Sequence, residues 1–339
     1  MDNKTILANS PIANYDFSFD NYLNKRKAQI NARMDGNGIP NYAYKPDYDM
    51  RKRLDAVPGL FHVAKNISAT MASRYMQQEN MRSLAVGPNQ FPEVYQIGCD
   101  CAKKLGIAIP NIYIQSSEVV NAYTFATADS EPFIVVTSLL LERMTLGELK
   151  AVIGHECGHI QNCHTTYNVI NSLLIQGSLA GIIIGDQLFL KGLLTPFYNL
   201  LTSGIQMLLS SWSRAAEVTA DRAAMICCDN LEDVYSVDKK FLYGAVKVED
   251  KIDTNLTIQS LKEQMEMTMN NPNRFRELMA SHPLPIKRIF AELEFAECET
   301  FYNSWRPDLK IPGCIMRSKE EVDRRCKRYI DVNGKGDIK

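Results

Sequence analysis

The sequence lacks an excess of charge of either sign, and this limits the partners that we expect. Its 339 residues carry 38 Lys and Arg against 39 Asp and Glu, a formal net charge of -1. This balance gives no electrostatic reason to expect nucleic acid as a partner. Hydrophobic residues at 45% and charged residues at 23% are ordinary for a globular chain, so wholesale disorder is excluded.

The chain also lacks Cys-x-x-Cys pairs and a recognisable leader. Its nine cysteines are an odd number, and Cys157 and Cys163 lie beside histidines, where a secreted protein would risk misoxidation. The opening MDNKTILANSPIANYDF has no basic start followed by an apolar run, so no signal peptide is expected. We therefore expect a cytoplasmic location, with the cytoplasmic face of a membrane, peripheral or integral, as the alternative.

Composition and periodicity divide the chain into three predicted parts. Residues 1–85 form an N-terminal extension, irregular and then helical; residues 86–300 form the main domain; residues 301–339 form a C-terminal tail. Within the main domain, alternating patterns predict strands at 111–115, 121–126 and 133–137. Thr145 and Glu148 then form a capping-box pattern that predicts the start of a helix. The expected fold is α+β and mostly helical, with a small mixed sheet.

Histidine is scarce, with five in the chain, and two of them fall in the sequence His-Glu-Cys-Gly-His at 155–159. On a helix, His155 and His159 lie on one face and can bind one metal ion. Glu156 follows the first histidine and can accept a proton from a metal-bound water. The apolar residues around the motif argue against a surface helix that carries two unrelated histidines.

A catalytic zinc site needs a third protein ligand. A histidine six residues after the second ligand, as in metzincins, is excluded because Thr165 occupies that position. His164 would lie about 140° away from the ligand face if the helix continued, which favours a structural or rim position. Glu217 and Asp221 share one face of a later predicted helix, so that one carboxylate can bind the metal while the other orients an imidazole.

Together these motifs make the sequence resemble the HtpX and CAAX prenyl protease family of gluzincin zinc metallopeptidases, especially its bacterial zinc proteases with chaperone function. The resemblance rests on LDAVPGL (54–60), NAYTF (121–125), FIVVTS (133–138), ELKAVIGHECGHIQNCH (148–164), SRAAEVTADRAA (213–224) and SHPLPIKRI (281–289). It implies a zincin-like domain in which the His-Glu-x-x-His motif lies on a helix. It also implies one Zn²⁺ per chain.

The resemblance implies a role for each matching residue. His155, His159 and Glu217 would bind zinc, Glu156 would be the general base, and Asp221 would be the carboxylate behind a ligand. Asn121 and Ala122 would lie on an edge strand that pairs with an extended substrate. His282 would stabilise the oxyanion, with Arg288 as its supporting cation.

The predicted function is therefore a zinc-dependent endopeptidase that cleaves extended or unfolded polypeptides, with a suggested role in protein quality control. The alternative is a non-catalytic, zinc-stabilised chaperone or binding module. A structural zinc site normally has four protein ligands and needs no general base, so Glu156 favours catalysis. Kinship with the CAAX protease alone suggests a third reading, the processing of lipidated peptides.

An apolar helical hairpin is predicted at 165–211, between the two groups of metal ligands. Residues 161–185 and 192–213 contain no Asp, Glu, Lys or Arg, and each stretch is long enough to span a bilayer. Polar Asn, Ser and Gln residues interrupt both stretches, which favours a hairpin packed in a soluble core. Membrane association through 165–211 is the alternative. The sequence carries no signal for a particular oligomeric state.

Overall fold

The structure is a computed structural model of the chain, and it describes residues 33–35, 38–127, 130–175, 205–243, 258–271, 282–310, 312–313 and 315–331. The chain divides into two compact units, Met1–Asn41 and Tyr42–Lys339. In the first unit, Met34 and Pro40 form an isolated antiparallel bridge. The helices and strands described below lie in the second unit.

Helices dominate the described part of the second unit. They are α1 (Lys45–Asp55), α2 (Leu60–Arg82), α3 (Pro92–Leu105), α4 (Ser138–Arg143), α5 (Leu146–Gln161), α6 (Thr165–Ile175), α7 (Gln206–Cys227), α8 (Leu231–Tyr243), α9 (Ile258–Met269), α10 (Pro285–Phe295) and α11 (Lys319–Ile330). The strands are β1 (Ser83–Ala85), β2 (Asn111–Gln115), β3 (Ala122–Thr127) and β4 (Ser130–Thr137). A π-helical turn (Phe301–Trp305) and a 3₁₀ turn (Pro307–Leu309) precede α11. The predicted mostly helical fold is confirmed.

The four strands form one small mixed sheet in the order β1-β2-β4-β3. β2 and β4 are parallel, whereas β1 pairs with β2, and β3 with β4, in antiparallel fashion. The central strands are apolar on both faces because helices cover the sheet, and Ile134 and Val136 are fully buried. This order leaves β3 at an edge of the sheet, as the family resemblance implied for Ala122, while Asn121 directly precedes the strand.

Local sequence signals determine where α5 begins. The Thr145 hydroxyl accepts a hydrogen bond from the Glu148 amide at 3.2 Å, and the Glu148 carboxylate accepts one from the Thr145 amide at 2.7 Å. This reciprocal capping box satisfies two amides that the first helical turn leaves without partners. The predicted start of the helix is therefore confirmed. The helix then runs through the five-residue motif at 155–159.

Close contact between α5 and α7 brings the two groups of candidate ligands together. A Cβ atom added at Gly154 would lie 2.7 Å from the Cys227 Cβ, and one at Gly158 would lie 2.6 Å from the Ala223 Cβ. The two helices can approach this closely because α5 presents hydrogen atoms where other residues have side chains. Small residues thus determine the distance between the two helices.

The N-terminal helices pack on the same framework through a second hydrophobic cluster. Leu54 and Leu60 are fully buried there with Tyr167 of α6 and Trp212 of α7. The predicted division into residues 1–85, 86–300 and 301–339 stays a prediction.

Most of the predicted apolar hairpin lies outside the described residues, which omit 176–204. Its first and last turns belong to α6 and α7. Among the helices that the structure describes, none combines the length and the apolar character needed to cross a bilayer.

Candidate metal centre

Three candidate ligands converge where α5 faces α7. The Nε2 atoms of His155 and His159 are 3.1 Å apart. The two Glu217 carboxylate oxygens lie 3.4 Å from these nitrogens, one from each. In the described part of the chain, these residues form the one His, Cys, Asp or Glu group with the spacing of a metal site. The structure thus brings together the residues selected by their spacing in the sequence.

Each imidazole is held by a second hydrogen bond at its other nitrogen. His155 Nδ1 lies 2.9 Å from Asp221 Oδ1, and His159 Nδ1 lies 2.8 Å from His164 Nδ1. A hydrogen bond donated from Nδ1 fixes the tautomer and leaves Nε2 free to bind a metal. Asp221 therefore lies where the sequence analysis expected a carboxylate behind a ligand.

Arg288 of α10 supports Asp221 from the far side. Its guanidinium donates to both Asp221 oxygens, at 3.0 and 2.5 Å, and lies 3.4 Å from Asp238. Burial opposes the ionisation of Asp221, but Arg288 and the His155 hydrogen bond hold the pKa of this carboxyl below its usual range. The carboxylate is therefore kept ionised, as an acceptor for His155 requires.

Glu156 is buried beside the three ligands. Burial raises the pKa of its carboxyl above the usual range, although the neighbouring His155 and His159 oppose this. It makes no hydrogen bond to a described protein group that would fix it in a structural role. A carboxylate in this position can exchange a proton with a bound molecule.

His282 comes from the loop before α10 and lies at the rim of the site. Its Nδ1 is 3.0 Å from Glu217 Oε2, while the side chain remains largely exposed. The pKa of His282 is raised above its usual range, mainly by the negative charge of Glu217. The structure therefore brings His282 to the metal-facing carboxylate, and brings Arg288 to Asp221 and Asp238.

A cavity of about 340 Å³ opens from the candidate ligands toward the edge of the sheet. Its wall includes Asn121 and Ala122, together with His155, Glu156, Glu217, Asp221, His282 and Arg288. The remaining wall is partly apolar and is built from α5, α7 and α8, including Val152, Ala224, Val234, Val237 and Phe241. All the candidate site residues except His159 therefore border one cavity.

The strand beside this cavity has backbone groups that no strand of the described sheet pairs. The Thr137 amide donates to the Asn121 carbonyl at 3.0 Å, which sets the alternation of paired and outward-facing residues along β3. Ala122 and Thr124 accordingly direct their amides and carbonyls to the free edge. At the next outward position the Ala126 amide donates to the Thr165 hydroxyl at 3.1 Å, which closes the edge.

His164 occupies a position that the helical periodicity of the sequence did not predict. If the helix continued, its periodicity would place His164 away from the ligand face. In the structure α5 ends at Gln161 and Cys163 adopts a left-handed conformation with φ 55°, so the chain turns back. His164 is fully buried against His159, and its Nε2 lies 3.0 Å from Asp47.

Asp47, Asp238 and Glu292 are further buried acidic residues near the site that the sequence analysis missed. Asp47 precedes the motif by more than a hundred residues, and the other two follow Glu217 on α8 and α10. No local motif marks any of the three.

Comparison with known proteins agrees with this geometry. Residues 88–294 match the model of peptidase family M48, and this is more than half of the chain. The chain belongs to peptidase family M48. The predicted resemblance to HtpX-like metallopeptidases is confirmed, and so is the predicted class, a metalloprotease.

Several relatives show how far the similarity extends. Plastoglobule-localized metallopeptidase 48, chloroplastic, of Arabidopsis thaliana is 29% identical over 241 residues, which cover 69% of this chain and 66% of that protein. Protease HtpX of Legionella pneumophila is 30% identical over 123 residues, which cover 36% of this chain and 43% of that protein. The crystal structure of S. mikatae Ste24p has a TM-score of 0.41 at 21% identity, covering 73% of this chain and 61% of that one. The chain therefore spans less than two thirds of each relative.

The predicted cytoplasmic location is wrong. A relative that aligns with this chain over 241 residues is described as plastoglobule-localized and chloroplastic. The prediction rested on unpaired cysteines and on an N-terminus without a leader pattern. These features bear on the redox state of thiols and on one export route, and neither one specifies a compartment.

Proposed function

We propose that this chain is a zinc-dependent endopeptidase that cleaves extended or unfolded polypeptides. His155, His159 and Glu217 hold one Zn²⁺ in this proposal, and Glu156 is the general base. The observation that carries the proposal is the convergence of three donors, a separate buried carboxylate and a free strand edge around one site.

The donor set supports zinc as the metal. Two imidazole nitrogens and one carboxylate are a common protein ligand set of catalytic zinc, which leaves a fourth position open. Zinc–nitrogen bonds of about 2.0–2.1 Å in tetrahedral geometry require donor atoms about 3.3 Å apart. The measured separations of 3.1 and 3.4 Å fit this requirement.

The chemistry divides between the metal and the side chains around it. Bound Zn²⁺ supplies Lewis acidity that polarises a carbonyl and lowers the pKa of a water molecule. Glu156 takes the proton from the attacking water and returns it to the leaving amine. Asp221 keeps the His155 imidazole oriented, and Arg288 keeps Asp221 ionised. His282 donates a hydrogen bond to the developing oxyanion.

The free edge of β3 supports a peptide as the substrate. An extended chain can add to this edge through backbone hydrogen bonds with Ala122 and Thr124, next to the side chain of Asn121. Folded segments already use those backbone groups internally, so the mode selects unfolded or extended chains. Such a preference is what a protease in protein quality control requires.

Replacement of the proposed base tests the proposal directly. Glu156→Gln should retain zinc and fold but lose at least about a hundredfold in casein cleavage, because it removes the base and no ligand. Glu142→Gln, at an exposed position on α4, is the matched control and should cleave like the wild type. Wild-type rates in Glu156→Gln would contradict the mechanism.

The same experiment separates the enzyme from a zinc-stabilised binding module. A module would bind unfolded chains equally well with either residue at position 156 and would release no new peptide termini. Native and heat-denatured forms of one substrate should differ in cleavage rate if the strand edge is used.

We further propose membrane association through 165–211, for which added liposomes should increase the cleavage rate; an unchanged rate would argue against it.

A further inference from the structure

The two imidazoles of the site differ in what holds them. His155 donates to a carboxylate directly, through Asp221. His159 instead contacts a second imidazole, that of His164, and His164 contacts the carboxylate of Asp47 at 3.0 Å. His164 and Asp47 are 0% and 1% exposed, so water does not compete for these contacts.

When the metal is bound, the protons in the hydrogen-bonded series from His159 through His164 to Asp47 can be arranged in one way. Because Nε2 of His159 faces the metal, its Nδ1 carries the proton and donates it to Nδ1 of His164. His164 must then carry its own proton on Nε2, which donates to Asp47. The order of donation therefore runs from His159 through His164 to the Asp47 carboxylate.

Asp47, at the far end of this hydrogen-bonded series, is also held in place. The Thr219 hydroxyl donates to the same Asp47 oxygen at 2.8 Å and accepts from the Tyr44 amide at 3.2 Å. Thr219 lies two residues after Glu217 on α7. Asp47 thus connects the helix that carries Glu217 to the turn that follows the helix carrying His159.

The segment around α1 fixes the turn that carries His164. The Tyr48 hydroxyl donates to the Asn162 side chain at 2.6 Å, and the Arg51 guanidinium donates to the Asn162 carbonyl at 2.8 Å. The next residue, Cys163, has a left-handed backbone that redirects the chain. A strained residue of this kind persists where its surroundings hold it, and α1 supplies those surroundings.

We propose that His164 and Asp47 are positioning residues that hold the His159 imidazole in the tautomer and orientation needed to bind the metal. Helix α1 is therefore part of the metal centre, although it lies outside residues 88–294 that match the family. The inference rests on the proposed function only in that His159 binds zinc.

The test measures metal retention by the full-length chain and not peptide cleavage. Zinc is titrated against a chelator of known affinity in the wild type, His164→Leu, His164→Asn and Asp47→Asn. Leu removes the acceptor for His159, whereas Asn places a side-chain oxygen close to the position of Nδ1. We expect zinc affinity to fall about tenfold to a hundredfold in His164→Leu, as for other partners of metal-bound histidines. We expect partial recovery in His164→Asn and an intermediate loss in Asp47→Asn.

His62→Leu is the matched control, because this histidine is exposed on α2, and it should bind zinc like the wild type. Substitution of Co²⁺ provides a second readout, since a reoriented His159 changes the visible ligand-field spectrum, whereas lost packing elsewhere does not. Thermal unfolding of the metal-free proteins monitors the fold separately.

Unchanged zinc affinity and an unchanged Co²⁺ spectrum in His164→Leu would overturn the proposal, as would equal losses in His164→Leu and His164→Asn. Wild-type affinity in Asp47→Asn would remove Asp47 from it. A wild-type protein that binds zinc tightly without cleaving peptide would instead refute the proposed function, and would leave the metal-retention result valid.

Discussion

Two carboxyl groups, those of Asp238 and Glu292, lie side by side in the wall of the cavity. Both residues are almost fully buried. Burial raises the pKa of Glu292 well above its usual range, and it raises that of Asp238 to about 7 despite the nearby Arg288. Because two ionised carboxylates close together repel each other, we expect this pair to hold one proton between them.

At the residue scale we predict that Glu292→Gln is well tolerated, because glutamine imitates a protonated glutamate and can donate to Asp238. A raised folded-state pKa means that the stability contributed by Glu292 is complete below its unfolded pKa of about 4.3 and is lost as the pH rises. The variant should lie within about 1 kcal/mol of the wild type at pH 5. It should become the more stable of the two in alkaline solution.

Urea unfolding at pH 5, 7 and 9 measures this difference. Glu294→Gln is the control on the same helix, where the carboxylate accepts from Arg325 and from the Tyr329 hydroxyl. The control should not gain stability over the wild type as the pH rises. A constant difference between Glu292→Gln and the wild type across the three pH values would argue against the shared proton.

At the scale of elements, the contact between α5 and α7 determines the geometry of the site. Gly158 stands between Glu156 and His159 in the motif, and a Cβ atom there would lie 2.6 Å from the Ala223 Cβ and 3.0 Å from the Ala220 Cα. The Ala220 Cα is a backbone atom and cannot move away unless α7 moves. The glycine is therefore explained by packing and has no chemical role in the motif.

We predict that Gly158→Ala destabilises the protein by about 1–3 kcal/mol, the usual cost of overpacking a core. The higher helix propensity of alanine would contribute at most about 1 kcal/mol in the opposite direction, so the clash dominates. Gly87→Ala is the control, because no atom lies within 4 Å of its added Cβ. Thermal unfolding compares the two, and equal melting temperatures would contradict the predicted contact.

At the scale of the whole molecule, the C-terminal helix is tied to the helix that carries Glu217. Arg222 of α7 lies 2.7 Å from Asp323 of α11 and is almost fully buried. It also packs over the rings of Tyr44 and Phe295. The single guanidinium thus joins segments from both ends of the second unit.

We predict that Asp323→Ala destabilises the protein by about 3–5 kcal/mol, because it leaves a buried guanidinium unpaired. Burial opposes the ionisation of Asp323, but Arg222 and Lys319 hold the pKa of this carboxyl below its usual range. Its contribution is therefore present above the unfolded pKa of about 3.9 and is lost as the pH falls. The difference in the free energy of unfolding between the wild type and Asp323→Ala should therefore become smaller in acid.

Denaturant unfolding at pH 7 and pH 3 measures this difference in the free energy of unfolding. Asp49→Ala removes the partner of Lys45 in an exposed pair and should change stability by less than about 1 kcal/mol. Equal losses of stability in Asp323→Ala and Asp49→Ala at pH 7 would contradict the predicted contribution of the buried pair.

Features that depend on neighbours a few residues away could be predicted from the sequence alone. The capping box at Thr145 and the alternation at 111–115 act through adjacent backbone groups, so their structures follow from the local pattern. The i and i+4 spacing of His155 and His159 likewise needs only a helix. Glu217 could be selected because its own helix carries a second carboxylate four residues later.

The distant groups that surround those residues could not be predicted in this way, because they depend on the folded arrangement of the chain. His164 reaches His159 through a left-handed turn, and its second partner, Asp47, is 117 positions away in the chain. Asp238 and Glu292 come from two further helices, and Asp323 reaches Arg222 from the last one. Such contacts depend on how helices pack, since hydrophobic burial selects the packing of the whole chain and no short pattern encodes it.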